Sequence, residues 1–244
     1  MQDWPEREHY TAEDLIQILR ILRDPETGCP WDKVQTHQSI RKNFLEETCE
    51  ALEAIDADDP AMLREELGDV LMQVAFHVVL EEERGHFTFE DVCREVCEKL
   101  VYRHPHVFTS SAAQNSGING WDALKNKEKG RTTLADELNT VPATLPALMR
   151  AQKLQKRAAR CGVPEPEGAQ AQQALQQAVD SWNANQSTDA AGEMLFAAAN
   201  AMRLAGVDAE EALTFASKRF CTRCLQQEQD GIQANEPARI EETK

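Results

Sequence analysis

Apolar residues along this chain recur at spacings of three and four, the period of helices that bury one face. Thr11-Ala12-Glu13-Asp14 reads as a helix start of the capping-box kind, with Asp in place of Glu. Leu15, Ile16, Ile18, Leu19 and Leu22 form the stripe that follows, and Asp24-Pro25 ends it. A second helix is predicted over 38–57, with Leu45, Cys49, Leu52 and Ile55 as its buried side. Glu46, Glu50 and Glu53 lie opposite, and Glu47 lies to one flank. Asp59-Pro60 offers an N-cap and a proline at the first helical position. The third helix runs from there to about residue 84, with Leu63, Leu67, Val70, Val74 and Val78 on one stripe. Thr88-Phe89-Glu90-Asp91 opens a fourth, which ends before Pro105 and whose buried side is Val92, Val96 and Leu100.

Further helices are predicted over 121–128, 145–161, 169–184, 188–205 and 208–228, with Gly162 closing the second of these. Strand-like alternation is rare, so the fold class is all-α. Between the helices, Glu26 to Asp32 reads as a compact structured loop, because Gly, Pro and Trp crowd together there. Residues 109–119 and 163–168 read as linkers, 130–144 as irregular, and the tail after residue 228 as polar and loose.

The second half echoes the first. Gly192-Glu193-Met194-Leu195-Phe196 aligns with Gly68-Asp69-Val70-Leu71-Met72, and Gln176-Gln177-Ala178-Val179-Asp180 with Glu46-Glu47-Thr48-Cys49-Glu50. Asp208-Ala209-Glu210-Glu211 matches the helix start at Thr88, and Arg219 and Arg223 fall where Lys99 and Arg103 fall. The second copy has lost acids: Gln176 and Gln177 replace two glutamates, and Ala190 stands where Glu66 stands. A glutamine carbonyl is a weaker metal ligand than a carboxylate, and alanine is none.

Composition narrows the classes of function. The net charge of −16 repels a phosphate backbone, which argues against a nucleic-acid polymer as partner. No stretch approaches a membrane span, and the N-terminus does not read as a signal peptide. Seven scattered cysteines, an odd number, read most simply as reduced thiols in the cytoplasm. Cys221 and Cys224 form one CxxC with no second pair to complete a zinc site.

Candidate chemistry gathers in two acidic clusters, Glu46-Glu47-Thr48-Cys49-Glu50 and Glu66-Leu67-Gly68-Asp69. On a helix, Glu47 can point with Glu50, and Glu66 with Asp69. Two such helices packed together converge four carboxylates, which a hard cation such as Mg²⁺ would hold. Asp69 is the one formal charge between Leu67 and Leu80, so burial would make it costly without a partner. The competing reading is a solvated acidic face. Lys99 and Arg103, one turn apart, suit phosphate or simply solvent. Trp31 and Trp121 read as core residues or as platforms for a base, with Lys125 one turn beyond Trp121. His104 and His106 mark a helix-terminating turn more readily than a zinc pair.

These residues resemble the MazG family of nucleoside triphosphate pyrophosphohydrolases. The family pattern Glu-Glu-x-x-Glu, a spacer, then Glu-x-x-Asp is carried by Glu46, Glu47, Glu50, Glu66 and Asp69. Leu22-Arg23-Asp24-Pro25, Gly28-Cys29-Pro30-Trp31-Asp32, Gln35-Thr36-His37, Arg103-His104-Pro105-His106-Val107-Phe108, Trp121 with Lys125 and Glu128, and the stretch 145–153 are similar to it too. The resemblance implies an all-α fold of two tandem helical repeats, with a site of the four-helix-bundle type completed in a homodimer. It implies Mg²⁺-dependent hydrolysis (with Mn²⁺ as the alternative) of a nucleoside triphosphate to monophosphate and pyrophosphate. Glu47, Glu50, Glu66 and Asp69 are the expected metal ligands. Glu46 and Glu47 are expected to handle the attacking water, Lys99 and Arg103 the phosphates, and Trp31, Trp121 and Lys125 the base or ribose. The organisation expected is a catalytic domain over 1–130, a connecting helix with linkers over 131–168, a degenerate repeat over 169–228 and a polar tail over 229–244. The alternatives are a narrower pyrophosphatase for dUTP, dCTP or phosphoribosyl-ATP, and a nucleotide-binding scaffold without turnover.

Overall fold

The structure is a computed structural model that describes residues 8–108, 130 and 133–234. Every element among them is helical. The helices are α1 (Ala12–Leu22), α2 (Arg41–Asp56), α3 (Pro60–Glu82), α4 (Phe89–Arg103), α5 (Pro105–Phe108), α6 (Leu134–Asn139), α7 (Ala147–Arg160), α8 (Gly168–Ala184), α9 (Thr188–Leu204) and α10 (Ala209–Ala234), with a 3-10 turn at Asp32–Val34. The chain divides into two compact units, Met1–Trp121 and Asp122–Lys244. The 121–128 helix expected from sequence, and the 109–119 linker, lie outside the described residues, as do Trp121 and Lys125. No helix among the described residues is long and apolar enough to cross a membrane.

The helix starts follow their local chemistry. Thr11 and Thr88 each accept a hydrogen bond from the backbone N–H three residues on, and Asp14 and Asp91 return the bond. Asp59 caps α3 at Ala61 and Met62, with Pro60 at the first helical position. α4 ends where His104 becomes its C-cap, with the imidazole Nδ1 2.7 Å from the Leu100 carbonyl. Two expectations need correcting. Residues 134–139 are helical rather than irregular, started by a third capping box, Thr133 with Asp136. α10 also continues to Ala234, beyond the expected end near 228.

In the first unit, α1 lies on the C-terminal half of α3. Ile16 and Leu19 meet Ala75, Phe76, Val79 and Leu80, with Ile40 beneath and Phe89 at the margin. α2 runs back along α3, and its buried residues are Ala51 and Ala54. The stripe expected to be buried is not: Leu45 is 66% and Leu52 57% exposed, and Cys49 and Ile55 are exposed with them. On α3, Val78 is buried as expected, but Leu67 is exposed, as are Val96 and Leu100 on α4. Apolar periodicity located these helices correctly and assigned the wrong face to α2, because small alanines let it approach α3 on its other side.

The loop between α1 and α2 is tied down at both ends. Arg23, itself buried, donates to Glu83, the C-cap of α3, and to the carbonyls of Asp32 and Gln35. His37 lies 2.5 Å from a Glu81 oxygen through Nε2 and 2.7 Å from the Nδ1 of His77 through its own Nδ1, and the two rings stack. Bonds from His86 and His37 hold the Glu81 carboxyl down at about 2. Burial, and then His37, lowers the proton affinity of His77. Gly28 makes the tight turn, its N–H donating to the Asp24 carbonyl at 3.0 Å.

In the second unit, α8 and α7 both pack on α9, and α10 packs on α7 and α9. Gln152 of α7 fastens the far end of α9, donating to the carbonyls of Ala199 and Val207 and accepting from the Ala209 N–H. Glu137 of α6 accepts from Arg157 at 3.0 Å.

A β-carbon at Gly28 would fall 2.5 Å from the carbonyl oxygens of Asp24 and Leu22, which are backbone and cannot swing away. Gly28→Ala should cost about 1–3 kcal/mol, as overpacking does. Urea unfolding measures it, and an unchanged midpoint would contradict the tight turn.

Candidate metal centre

α2 presents Glu47, Glu50, Ala51 and Ala54 to α3, positions spaced three and four apart on one face. The alanines let the helices close up, and the acids one turn earlier meet the N-terminal half of α3. There Glu66 and Asp69, three apart, face them. One carboxylate oxygen from each of Glu47, Glu66 and Asp69 lies within 4.8 Å of those of the other two, and all three residues are half-buried. Glu50 joins the group by charge, raising the proton affinity of both Glu47 and Glu66. Asp69 is thus half-buried among acids rather than enclosed by apolar side chains, as its sequence surroundings suggest.

The electrostatics are those of like charges held together. Burial, and then the charges of Asp69 and Glu50, raise the proton affinity of Glu47 above the ordinary carboxylate range. Burial, then Glu50, does the same to Glu66. Such a group binds protons or a hard cation. One further observation favours a ligand over a solvated acidic face. Gln73, one turn beyond Asp69 on α3, is only 5% exposed, and its amide oxygen is fully buried with no hydrogen-bond partner among the described residues. An orphaned acceptor one helical turn from an oxygen-rich donor set fits a hydrated divalent ion.

None of the other expected site residues is among these carboxylates. Glu46 is exposed and takes no part in it. Lys99 and Arg103 share a face of α4, but Lys99 is exposed while Arg103 is 7% exposed. Trp31 is 56% exposed at the head of the 3-10 turn, which removes its reading as a core residue of this chain. In the second unit Gln176 donates to Asp180 at 3.0 Å, Ala190 is buried, and Glu193 is exposed. Sequence reasoning passed over Gln73; its signal was a lone amide in an apolar run, four residues after Asp69.

Glu66 carries a pH prediction. Its proton affinity is raised in the folded chain, so its contribution to stability is full below its ordinary value of 4.5 and is lost as pH rises through the raised value. Glu66→Gln should therefore raise the melting temperature of the metal-free protein at pH 7, and the gain should fade below about pH 4.5. An equal gain at both pH values would rule out the repulsion.

Comparison with known proteins agrees with this geometry. Residues 35–108 match the model of the MazG nucleotide pyrophosphohydrolase domain, a span that holds all four carboxylates and Gln73. The nucleoside triphosphate pyrophosphohydrolase of Escherichia coli is 41% identical over 220 residues, covering 84% of this chain and 82% of the relative. A Thermotoga maritima protein, nucleoside triphosphate pyrophosphohydrolase/pyrophosphatase MazG, is 38% identical over 221 residues, covering 89% and 85%. The Mycobacterium tuberculosis nucleoside triphosphate pyrophosphohydrolase is 38% identical over 156 residues, covering 63% and 47%. With such identity across most of its length and the acidic residues in register on two packed helices, the chain belongs to the MazG family of nucleoside triphosphate pyrophosphohydrolases.

Proposed function

We propose that this chain hydrolyses nucleoside triphosphates to the monophosphate and pyrophosphate, with Mg²⁺, at the carboxylate group between α2 and α3. The observation that carries the proposal is the convergence of Glu47, Glu66 and Asp69, with Glu50 beside them, in the segment matched by the family model. Glu47, Glu50, Glu66 and Asp69 would hold the ion. Bound there, Mg²⁺ would neutralise triphosphate charge and make a coordinated water easier to deprotonate.

In the reaction, a water oxygen forms a bond to the α-phosphorus, the bond from that phosphorus to the α–β bridging oxygen breaks, and pyrophosphate leaves with that oxygen. The water proton passes to a carboxylate. Of the two candidates for that task, Glu47 lies in the group and Glu46 does not, so we assign it to Glu47. Lys99 and Arg103 would bind phosphate, and the exposed Trp31 is free to stack on a base. Trp121 and Lys125 keep their proposed base or ribose role on sequence resemblance alone.

The second unit we read as a degenerate repeat of the first. Its helix order supports this: α8, α9 and α10 follow one another as α2, α3 and α4 do, the first two packed together and the third on the second. Its Gln176–Asp180 bond is what a lapsed site would form once its partners became amides. A catalytic domain over 1–130, a connecting segment over 131–168, a repeat over 169–228 and a polar tail over 229–244 remain the proposed organisation, in a cytoplasmic enzyme. We further propose a homodimer whose interface is the outer side of α2 and α3. Leu45, Leu52, Ile55, Leu67 and Leu71 are all exposed there, and covering each would stabilise the assembly by about 1.5–3 kcal/mol.

Two experiments test these readings. Purified protein should release pyrophosphate from common NTPs or dNTPs only with Mg²⁺. Glu50→Ala and Asp69→Ala should each lose at least about a hundredfold, beyond what a residue behind a ligand costs, with unchanged helical circular dichroism. Release without Mg²⁺, or full activity in both variants, would overturn the assignment. Separately, sedimentation should find a dimer that Leu52→Glu converts to monomer; a wild-type monomer refutes the interface.

A further inference from the structure

The seam between α2 and α3 is bracketed by two contacts. At one end Phe44 of α2 meets the edge of His77 on α3, with ring centroids 5.6 Å apart. At the other, Glu47 and Glu50 meet Glu66 and Asp69. Gln73 lies between the two on the same face of α3, four residues from Asp69 and four from His77. Helical side chains lean toward the N-terminus, onto the turn before them. Gln73 therefore leans toward Asp69 and the carboxylates, not toward His77.

A buried amide oxygen without a donor costs on the order of 1–3 kcal/mol. Methionine or leucine would fill this space without that cost, yet the chain keeps an amide at a position 5% exposed. The donor is thus something that the described residues do not provide. Carboxylates cannot donate when ionised, so the carboxylates do not supply it where the group carries its full charge. Water on a divalent cation can, and it donates strongly because the cation polarises it.

We infer that Gln73 is a positioning residue of this centre, whose amide oxygen accepts a hydrogen bond from water bound to the metal. It rests on the metal reading proposed above and adds a residue outside the acidic pattern. Its part is to fix where one coordinated water sits, and so to raise the affinity for the hydrated ion.

The inference makes opposite predictions for the metal-free and metal-bound protein. Mn²⁺ binding, followed by electron paramagnetic resonance, should weaken about tenfold or more in Gln73→Met, the range for residues that orient a metal's ligands. In chelator, the melting temperature of Gln73→Met should equal or exceed that of the wild type, because an unsatisfied acceptor has gone. Gln73→Glu, which keeps an oxygen, should bind Mn²⁺ at least as tightly as the wild type. Wild-type affinity in Gln73→Met overturns the inference, as does a lowered melting temperature in chelator, since the amide would then be bonded within the protein. A wild type that binds no Mn²⁺ overturns the metal reading itself and the inference with it.

Discussion

The approach of α2 to α3 through alanines is the constraint on which the first unit depends. Ala51 and Ala54 are small enough to bring the helix axes close. Having closed on that side, the pair brings the glutamates of the same face against Glu66 and Asp69. The acids do not gather by attraction; the proton affinities of Glu47 and Glu66 rise because packing takes them from water and holds them beside like charges. The energy for that comes from the apolar core below, where α1 sits on Phe76, Val79 and Leu80. One end of α3 is thus a conventional hydrophobic helix, and the other is a charged rail anchored by it. This division of labour is common at functional sites, where local stability is given up for a group that binds something.

The same choice of face governs the surface. With its small residues turned inward, α2 turns Leu45, Leu52 and Ile55 outward. A single chain gains nothing from those side chains, and the water around them is the cost that a partner would remove. Site and surface are therefore two consequences of one packing decision. A substitution that enlarged Ala51 or Ala54 would disturb both together, by parting the carboxylates and tilting the outer face.

Much of this was legible in the sequence, for reasons that differ by element. Thr11, Asp59 and Thr88 announced their helices because capping chemistry is local and needs no knowledge of the fold. Thr133 and Asp136 carried the same signal for α6, and it was overlooked inside a short polar stretch. The carboxylates could be placed together because a spacing of three on each of two helices leaves little choice of direction. The buried face of α2 could not. Periodicity says that Leu45, Cys49, Leu52 and Ile55 share a side, but not whether the chain itself or another molecule covers it. Lys99 and Arg103 make the same point: their spacing is a helical fact, while the burial of one and exposure of the other is a tertiary one.

Gln73 lies at the limit of what sequence can say. In an apolar run an uncharged amide draws no notice, since it adds no charge and matches no metal pattern. Its meaning comes from burial with an acceptor left over, which only packing reveals. The second unit sharpens the contrast. There an amide at Gln176 finds Asp180 within its own helix and is satisfied at 3.0 Å, so it asks for nothing more. An amide that the chain satisfies is structure; one left open among the described residues asks what completes it. Gln155 of the second unit also buries an open amide oxygen, so burial alone does not mark a site, and what sets Gln73 apart is its place one turn beyond Asp69.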